Sequence, residues 1–428
     1  MKNPVLFGLM AVLAGTVSAA SVTITGATAH DPWDGKVDVA YTVADREGED
    51  CDYQVKFAFG GVTAMNFAEW AWCDLPVANG SHTVTWDARA DGVETPVLTS
   101  PTAEIVNETV TAAAADYMII DVSSGKDSTA YPVRYAKAAA GVTTAQFNKP
   151  AYKLDRIAFK KVKVGDFLTT DAGDPYTFKM AEGTAASGTK WHPVRLTKDY
   201  FLGIFEVTQR QYEDVTGANP SAWKTKESDL ESIKAEITDY TMHPANQLVY
   251  DTISGADGLF GRMTARTGVT IGAPTEAQWE FACRAGCENK YHWGADIETA
   301  EGELVEDRYG WNNLNSSPNA GTGRTTHGVG ELLPNAWGFY DMTGNVYEHC
   351  SDIHAAYTST SKSAPEEDPT GAASGANRVI RGGAAAFART EMASGYRRAQ
   401  STNSAGAGYG GFYAPFMGAR LAMTVEAK

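Results

Sequence analysis

The strongest constraint on the fold is a pattern of alternating residues that fills the first quarter of the chain. Residues 21–115 contain four segments in which apolar and polar residues alternate, separated by turns of Gly, Asn and Asp: SVTITG, KVDVAYTV, YQVKFAF and SHTVTWDA. Such alternation is typical of strands that have one buried face. The pattern therefore predicts an N-terminal all-β Ig-like sandwich over residues 20–115.

The pattern changes after residue 115. Residues 116–155 are rich in Ala, Ser and Thr around YMIID and YPVRYA, and they predict a linker with two short strands. Residues 156–428 then combine long loops rich in Gly and Asn with a small number of helical segments. Long loops that contain many aromatic residues are more often functional than disordered. This half is predicted to be a separate α+β domain.

Two short helices are predicted in this second half. The first follows Thr208, with Gln211 completing a capping box and Gly217 as the left-handed stop. The second follows Thr275 in the segment PTEAQWEFACRAG, and it repeats the same pattern with Gly286 at its end.

The first nineteen residues predict a secretory signal peptide. Lys2 precedes the apolar run 5–15, and Val17-Ser18-Ala19 offers small residues for cleavage. The apolar run is too short to span a bilayer. We therefore expect an exported bacterial protein that is extracellular, periplasmic or on the cell surface, without direct insertion into the membrane.

The charge of the chain excludes some classes of partner. Without Lys2 the chain has 35 basic and 52 acidic side chains, a net charge of −17. Nucleic-acid binding depends on many contacts from Lys and Arg to phosphates, so we expect no nucleic-acid partner.

The cysteines allow at most two disulfides. Of the five, Cys51 and Cys73 lie close together in the β-rich segment and are the preferred pair. No CxxC or Cys/His spacing suited to a structural zinc site is present.

Six segments of the second half stand in an order that is informative: FLGIFEVTQRQYEDVTGANPSAW (201–223), APTEAQWEFACRAG (273–286), YHWG (291–294), PNAWGFYDMTGNVYEHCSD (334–352), RVIRGG (378–383) and GAR (418–420). Together they resemble the formylglycine-generating enzyme family, also called sulfatase-modifying factor domains. The resemblance covers residues 156–428 and implies a variant of the C-type lectin fold, with long loops and two main short helices.

The sequence departs from this family at the positions that matter for catalysis. Catalytic members have two cysteines, five residues apart after the Gly-Gly bend, that bind copper and oxidise a substrate cysteine. The matching positions here are Phe387 and Met392, and Ala384 replaces a serine. Because neither side chain can form a thiolate, we expect no copper and no formylglycine-generating activity.

Two other functions stay open at this point. The chain could be a family enzyme with a non-cysteine active site that uses non-heme iron or other oxidase chemistry. However, its eight histidines show neither HExxH nor facial-triad spacing. A purely structural component of the cell envelope is the other alternative.

The segment DMTGNVYE keeps a metal pattern of the family. The resemblance implies a structural calcium ion bound by the side chains of Asp341 and Glu348 and by the carbonyls of Gly344 and Val346. Calcium prefers six to eight oxygen ligands in a flexible loop, which such a bend can provide. The alternative is that the two acids only cap the turn.

Residues 384–417 have the composition of a binding surface. Of these 34 residues, 23 are Ala, Gly, Ser, Tyr or Phe, and large rigid aromatics among small adaptable residues are typical of paratopes. The segment also resembles the hypervariable part of variable proteins from diversity-generating retroelements. The predicted ligand-binding residues are Ala384, Ala385, Ala386, Phe387, Asn403, Tyr409, Phe412 and Tyr413.

This hypothesis makes two structural predictions. Phe387 should be at least partly exposed, and Arg381, Arg389 and Arg397 should hold the surrounding loops through acids or carbonyls. The ligand would be extracellular: a protein, a glycan or a cell-wall fragment. The alternative is a plain Gly/Ala-rich loop that closes the fold.

Overall fold

The structure is a computed structural model of the chain, and it describes residues 20–46, 53–95, 98–107, 110–164, 177–180, 192–222, 239–294, 305–317, 324–357, 365–401 and 414–425. The chain forms two compact units. The first unit contains Met1–Ala68 and Asp74–Glu108, and the second contains Glu69–Cys73 and Thr109–Lys428. Among the described residues, no helix has the length and apolar character needed to cross a membrane.

In the first unit, the residues that the structure describes form antiparallel strands in two three-stranded sheets, ordered β1-β2-β5 and β4-β3-β6. Burial alternates along most of these strands, as the sequence predicts. The strands are β1 (Ser21–Ala29), β2 (Lys36–Ala44), β3 (Tyr53–Phe59), β4 (Val62–Thr63), β5 (Gly80–Asp87) and β6 (Thr102–Asn107).

Aromatic contacts join the two sheets of the first unit. Tyr41 of β2 packs edge-on against Phe57 of β3, with ring centroids 4.9 Å apart. Phe59 of β3 stacks on Trp86 of β5 at 5.0 Å. All four side chains are buried, so the inner faces of the two sheets form one core.

The described residues of the second unit form three sheets, ordered β18-β12-β9-β7-β8, β16-β15-β13-β17 and β10-β11-β14. Its strands are β7 (Tyr117–Asp121), β8 (Val133–Ala136), β9 (Arg156–Val162), β10 (Thr177–Met180), β11 (His192–Arg195), β12 (Tyr200–Gly203), β13 (Tyr347–Ile353), β14 (Glu366–Glu367), β15 (Asn377–Arg381), β16 (Arg398–Ser401), β17 (Met417–Gly418) and β18 (Ala422–Thr424).

The helices of this unit are short and partly predictable from the sequence: α1 (Ala151–Leu154), α2 (Gln209–Thr216), α3 (Tyr250–Ser254), α4 (Leu259–Thr267) and α5 (Glu276–Arg284). Both predicted capping boxes are present, at Thr208 and Thr275. Gly217 caps α2 in the left-handed region, whereas the left-handed cap of α5 is Ala285 (φ 47°), one residue before the predicted Gly286.

The nine-residue α4 is a correction to the expectation of two main helices. No side chain caps its N-terminus at Gly258, so the local signal is weak. Its buried face, which includes Leu259, Phe260 and Met263, stabilises it through tertiary contacts instead.

The five-stranded sheet has a core on each face. Along β12, Phe201 packs into one hydrophobic cluster with Met118 and Leu421. Its neighbours Tyr200 and Leu202 pack into the other cluster, which includes Trp279 of α5. This split follows the two-residue period of a strand and shows that the central strands are covered on both sides.

The segment 116–155, predicted as a linker with short strands, is built into the second unit. Both strands are present as β7 and β8, and β7 pairs with β9 along its whole length. Residues 69–73 also belong to this unit, where Trp72 packs edge-on against Tyr117 and Phe147. The segment is therefore part of a sheet and its core rather than a connection.

Candidate functional site

The RVIRGG segment (378–383) forms most of β15 and a tight bend. Gly382 and Gly383 follow the strand with φ of 96° and 74°, a region that favours glycine. A Cβ atom at Gly383 would lie 3.0 Å from the carbonyl oxygen of Glu391. The bend therefore brings residues 384–387 directly against the loop that follows them.

The prediction that Phe387 is exposed is wrong. Its side chain is 6% exposed, and Ala384, Ala385 and Ala386 are also buried. The Phe387 ring packs at 5.2 Å from that of Tyr347 and at 5.8 Å from that of Phe416. Sequence reasoning missed this because the covering residues lie about 30 to 40 positions away in the chain, beyond any local pattern.

The other four predicted ligand-binding residues, Asn403, Tyr409, Phe412 and Tyr413, lie outside the described residues. The strand before them, β16, is an edge strand that pairs with β15.

A half-buried polar network surrounds Phe387. The Tyr347 hydroxyl donates to Glu391 Oε2, and Arg398 donates to the same carboxylate from Nε (2.8 Å) and Nη2 (2.9 Å). The Arg398 guanidinium lies 6.0 Å from the Phe387 ring centroid. Burial raises the pKa of Tyr347, so this hydroxyl stays protonated as a donor.

The three predicted arginines do hold the surrounding loops. Arg381 is fully buried and donates to the Tyr396 carbonyl and to Glu280 Oε2. Arg389 donates to the buried Glu306. The prediction that these side chains act through acids and carbonyls is confirmed for both.

Arg397 completes the set. It donates to both oxygens of Glu276 at 2.7 Å and to the Ala355 carbonyl at 2.7 Å. Glu276 is the first residue of α5, so Arg397 ties the loop after Met392 to the start of that helix. A planar guanidinium suits such two-point contacts.

The predicted calcium bend lies against the Gly-Gly bend. The Gly344 amide donates to the Gly382 carbonyl at 2.8 Å, and the Ala385 amide donates to the Asn345 carbonyl at 3.0 Å. Gly344 has φ 84°, and a Cβ atom there would collide with the backbone of Trp311. The structure thus brings the two predicted sites together in one region.

Asp341 has the open acceptor that a cation needs. Its Oδ2 accepts from the Gly330 amide at 2.6 Å, whereas Oδ1 is buried without a hydrogen-bond partner. Burial raises the pKa of this carboxyl to about 6, against the hydrogen bond from Gly330 and the positive charge of Arg420.

Glu348 is already engaged. Arg420 donates to both of its oxygens, with distances of 2.7 to 3.0 Å, and Trp279 Nε1 donates to Oε2 at 2.6 Å. Arg420 is itself fully buried and also donates to the carbonyls of Gly203 and Ile204. A calcium ion at this carboxylate would have to displace part of that contact.

A third acid, Glu206, was missed by sequence reasoning. Its Oε1 accepts from the Val346 amide at 3.1 Å, and its Oε2 accepts from Asn345 Nδ2 at 2.7 Å. Burial raises its pKa, and the charges of Asp341 and Glu348 raise it further. Glu206 lies two residues before Thr208, the N-cap of α2, so the local sequence pattern indicates only the start of a helix there.

Of the two implied side-chain ligands, only Asp341 has an oxygen without a hydrogen-bond partner, so a calcium ion here would require backbone oxygens. Within the described part of the chain, no three His, Cys, Asp or Glu side chains converge to hold a metal by themselves. The carbonyls of Gly344 and Val346 would therefore have to contribute, as the resemblance implies. An unpartnered buried oxygen beside two further acids is the observation that favours a cation there.

Two of the described cysteines, Cys283 and Cys350, provide no substitute for the missing pair. Cys283 and Cys350 are fully buried, and burial raises the pKa of Cys283 to about 12. A thiol in such surroundings is unreactive. The predicted partner of Cys73, Cys51, lies outside the described residues, so that disulfide stays a prediction.

The sequence of the second unit matches a known protein family. Residues 157–425 match the family described as "Sulfatase-modifying factor enzyme 1-like domain". The chain belongs to this family. Within it, the formylglycine-generating enzyme of Thermomonospora curvata is 31% identical over 165 residues, which are 38% of this chain and 49% of that enzyme.

Other similar proteins have different names. The chaperone protein LppX of Paenibacillus barcinonensis is 28% identical over 183 residues, covering 37% of this chain and 63% of that protein. Among solved structures, Treponema denticola variable protein 1 superposes with a TM-score of 0.47 and 23% identity, covering 63% of this chain and 96% of that chain. The chain thus matches less than two thirds of the length of LppX and of the Thermomonospora curvata enzyme.

In sulfatase-modifying factor domains that oxidise cysteine, the resemblance places the reactive pair at Phe387 and Met392. Here these side chains lie in different clusters: Phe387 with Tyr347 and Phe416, and Met392 with Tyr291. Both are buried. Hydrocarbon and thioether groups therefore fill the two positions.

Proposed function

We propose that the chain is an exported, non-catalytic ligand-binding member of the sulfatase-modifying factor family, acting outside the bacterial cytoplasm. The observation that carries this proposal is the replacement of the reactive pair by Phe387 and Met392, both buried in hydrophobic clusters. The copper chemistry of the family's cysteine pair requires thiolates, and no ionisable sulfur stands at either position. The domain would thus keep the fold of the family without its reactive pair.

The burial of Phe387 changes how the binding segment 384–417 would work. Residues 384–387 form a supporting layer, and the ligand contacts would come from Asn403, Tyr409, Phe412 and Tyr413. The composition of that stretch supports this role, because Tyr and Phe provide contact area and Ser, Gly and Asn adapt to a ligand. The ligand would be a protein, a glycan or a cell-wall fragment.

The first unit fits this proposal as an Ig-like module. Two antiparallel sheets that share an aromatic core are consistent with such a sandwich. It would act as a spacer or adhesion module for the second unit.

Calcium is proposed as a structural ion at Asp341, Gly344, Val346 and Glu348. The unpartnered Oδ1 of Asp341 and the nearby carboxyl group of Glu206 support it. When bound, the ion would offset the negative charge of these acids and hold the bend at Gly344 in place.

The absence of catalysis is tested by metal analysis and an oxidation assay. The purified chain is first analysed for bound metal and is then incubated with added copper, under oxygen, with a peptide containing the cysteine motif of a sulfatase. We expect neither stoichiometric copper or iron nor aldehyde formation. Bound iron or copper at one equivalent, or aldehyde above background, would support the enzyme alternative instead.

Binding is tested on a glycan array and on purified peptidoglycan. The double variant Tyr409→Ala and Phe412→Ala should lose at least tenfold in binding while its melting temperature stays within about 2 °C of the parent, as for surface substitutions. Unchanged binding by this variant would show that the segment 384–417 does not bind the ligand through these side chains. Sequencing of the neighbouring DNA for a near-repeat of the segment beside a reverse transcriptase tests diversification.

A further inference from the structure

A groove at the edge of the five-stranded sheet is unrelated to the sites above. It has a volume of about 580 Å³ and is lined by residues of three segments, 111–113, 269–278 and 422–425, together with Tyr135. This volume falls in the range of ligand sites in proteins. Of the residues that line it, none carries a charged side chain.

One wall of the groove is an incomplete β-ladder. Ala422 of β18 exchanges two backbone hydrogen bonds with Gly272, at 2.7 and 3.0 Å. The next residues in this antiparallel register are Thr424 and Thr270, and both line the groove. Within the described ranges, no backbone hydrogen bond joins them.

The direction of the Thr424 backbone groups follows from the pairing of β18 with β12. Gly203 donates to the Leu421 carbonyl on the β12 side, and Ala422 bonds to Gly272 on the opposite side. Because hydrogen-bonding direction alternates along an antiparallel strand, the N–H and C=O of Thr424 point to the same side as those of Ala422. They therefore point into the groove.

The groove has a mostly apolar floor with fixed polar groups. Met423, Val425 and the Tyr135 ring contribute apolar surface, and the Tyr135 hydroxyl donates to the Met423 sulfur, a weak acceptor, at 3.9 Å. Gln278 is held by the Thr275 capping box and donates to Thr424 Oγ1 at 3.2 Å. The lining is thus organised before any ligand binds.

We propose that this groove binds an extended, uncharged peptide segment of a partner protein by strand addition at Thr424. An open strand edge is a template for another chain, and main-chain hydrogen bonds provide the binding in this mode. The neutral lining selects an uncharged segment, since a charged side chain would lose hydration there without gaining a partner. The proposal does not depend on the function proposed for residues 384–417.

The test follows the Thr424 amide in the full chain labelled with 15N-threonine. The probe is the capped tetrapeptide Ac-Thr-Val-Thr-Val-NH2, and Thr424→Ser identifies the signal. We expect the probe to shift the Thr424 resonance and to slow its hydrogen exchange at least tenfold. No change at Thr424 with saturating probe would overturn the proposal.

Two neighbouring exposed alanines provide a matched pair of variants. Ala113 lines the groove and Ala114 does not. Ala113→Glu should weaken probe binding at least tenfold, whereas Ala114→Glu should leave it within twofold. Equal affinities for the two variants would place the peptide elsewhere.

Two further measurements distinguish other occupants. A probe that is N-methylated at its two central amides cannot pair with a strand edge and should lose binding. If it binds equally well, the groove is only an apolar pocket and strand addition is wrong. If the Thr424 signal shifts when the chain is concentrated without probe, and Ala113→Glu abolishes that shift, the occupant is a second copy of this chain.

Discussion

Two buried clusters of charged side chains differ in their charge balance. Around the Gly-Gly bend, Glu276 and Glu280 each contact a guanidinium of Arg381, Arg397 or Arg284. At the predicted calcium bend, three acids face one fully buried guanidinium: Glu206, Asp341, Glu348 and Arg420. The first cluster is complete within the chain. The second leaves negative charge that protons or a cation must offset.

The largest effect is expected from breaking the balanced cluster. Arg381→Met leaves Glu280 buried without one of its two arginines, so the free energy of unfolding should fall by about 3–5 kcal/mol. Denaturant unfolding measures this. Arg398→Met serves as a control: the Arg398 side chain is 23% exposed, whereas that of Arg381 is fully buried, so this variant should cost clearly less. Equal losses for the two variants would mean that burial does not set the difference between these ion pairs.

Phe387 offers the next largest effect. Phe387→Ala removes a buried ring between Tyr347 and Phe416 and should lower the free energy of unfolding by about 3 kcal/mol. Phe387→Leu, which keeps most of the volume, should cost less than about 1.5 kcal/mol. If alanine leaves stability unchanged, the ring is not a core element and the supporting role assigned to it fails.

A smaller effect of opposite sign is expected at the acid-rich bend. Asp341→Asn replaces a buried carboxyl group, one oxygen of which has no hydrogen-bond partner, with a neutral amide. Because a buried charge is removed, the free energy of unfolding should rise by about 1–3 kcal/mol at pH 7 in the presence of a chelator.

Calcium should reverse this order of stability. The parent should gain about 2.7 kcal/mol at a calcium concentration one hundred times its Kd, and Asp341→Asn should gain little. Asp352→Asn, another buried acid with a raised pKa, should respond to calcium like the parent. If the stability of the parent does not respond to calcium, protonation rather than calcium offsets the negative charge of these acids.

At His292 the expected effect is smallest at neutral pH and appears as a change of slope when the pH falls. His292 is fully buried, and burial lowers its pKa to about 3, so the native state favours the neutral ring. Its contribution to stability is complete above pH 6.5 and is lost as pH falls from there toward 3, by up to about 1.4 kcal/mol per pH unit. His292→Gln should flatten the stability profile between pH 6 and 4. Parallel profiles for the two proteins would contradict the buried neutral ring.

Local patterns predicted the parts of the fold that short-range physics determines. The alternation in β2 and β3 and the caps at Thr208 and Thr275 depend on neighbours within four residues, and the structure has all of them. The loop-holding arginines were predictable because a buried guanidinium in a loop must find acids or carbonyls.

The remaining features depend on contacts between distant parts of the chain. Glu206 reaches Asn345 across 139 positions, and Phe387 is covered by Phe416 and Tyr347. The sequence around each gives no sign of its burial, since an exposed and a buried phenylalanine have the same local pattern. The uncharged groove was missed because it joins three separate segments.

The position of β7 has a practical consequence for dissecting the chain. The family match begins at residue 157, yet β9, which starts at Arg156, pairs with β7 at residues 117–121. A recombinant fragment cut at the family boundary would lose β7 and β8 together and leave the inner edge of β9 open to other chains. Such a fragment should aggregate, whereas one that begins before Tyr117 keeps the sheet whole. The compact unit is therefore longer than the stretch that the family match covers.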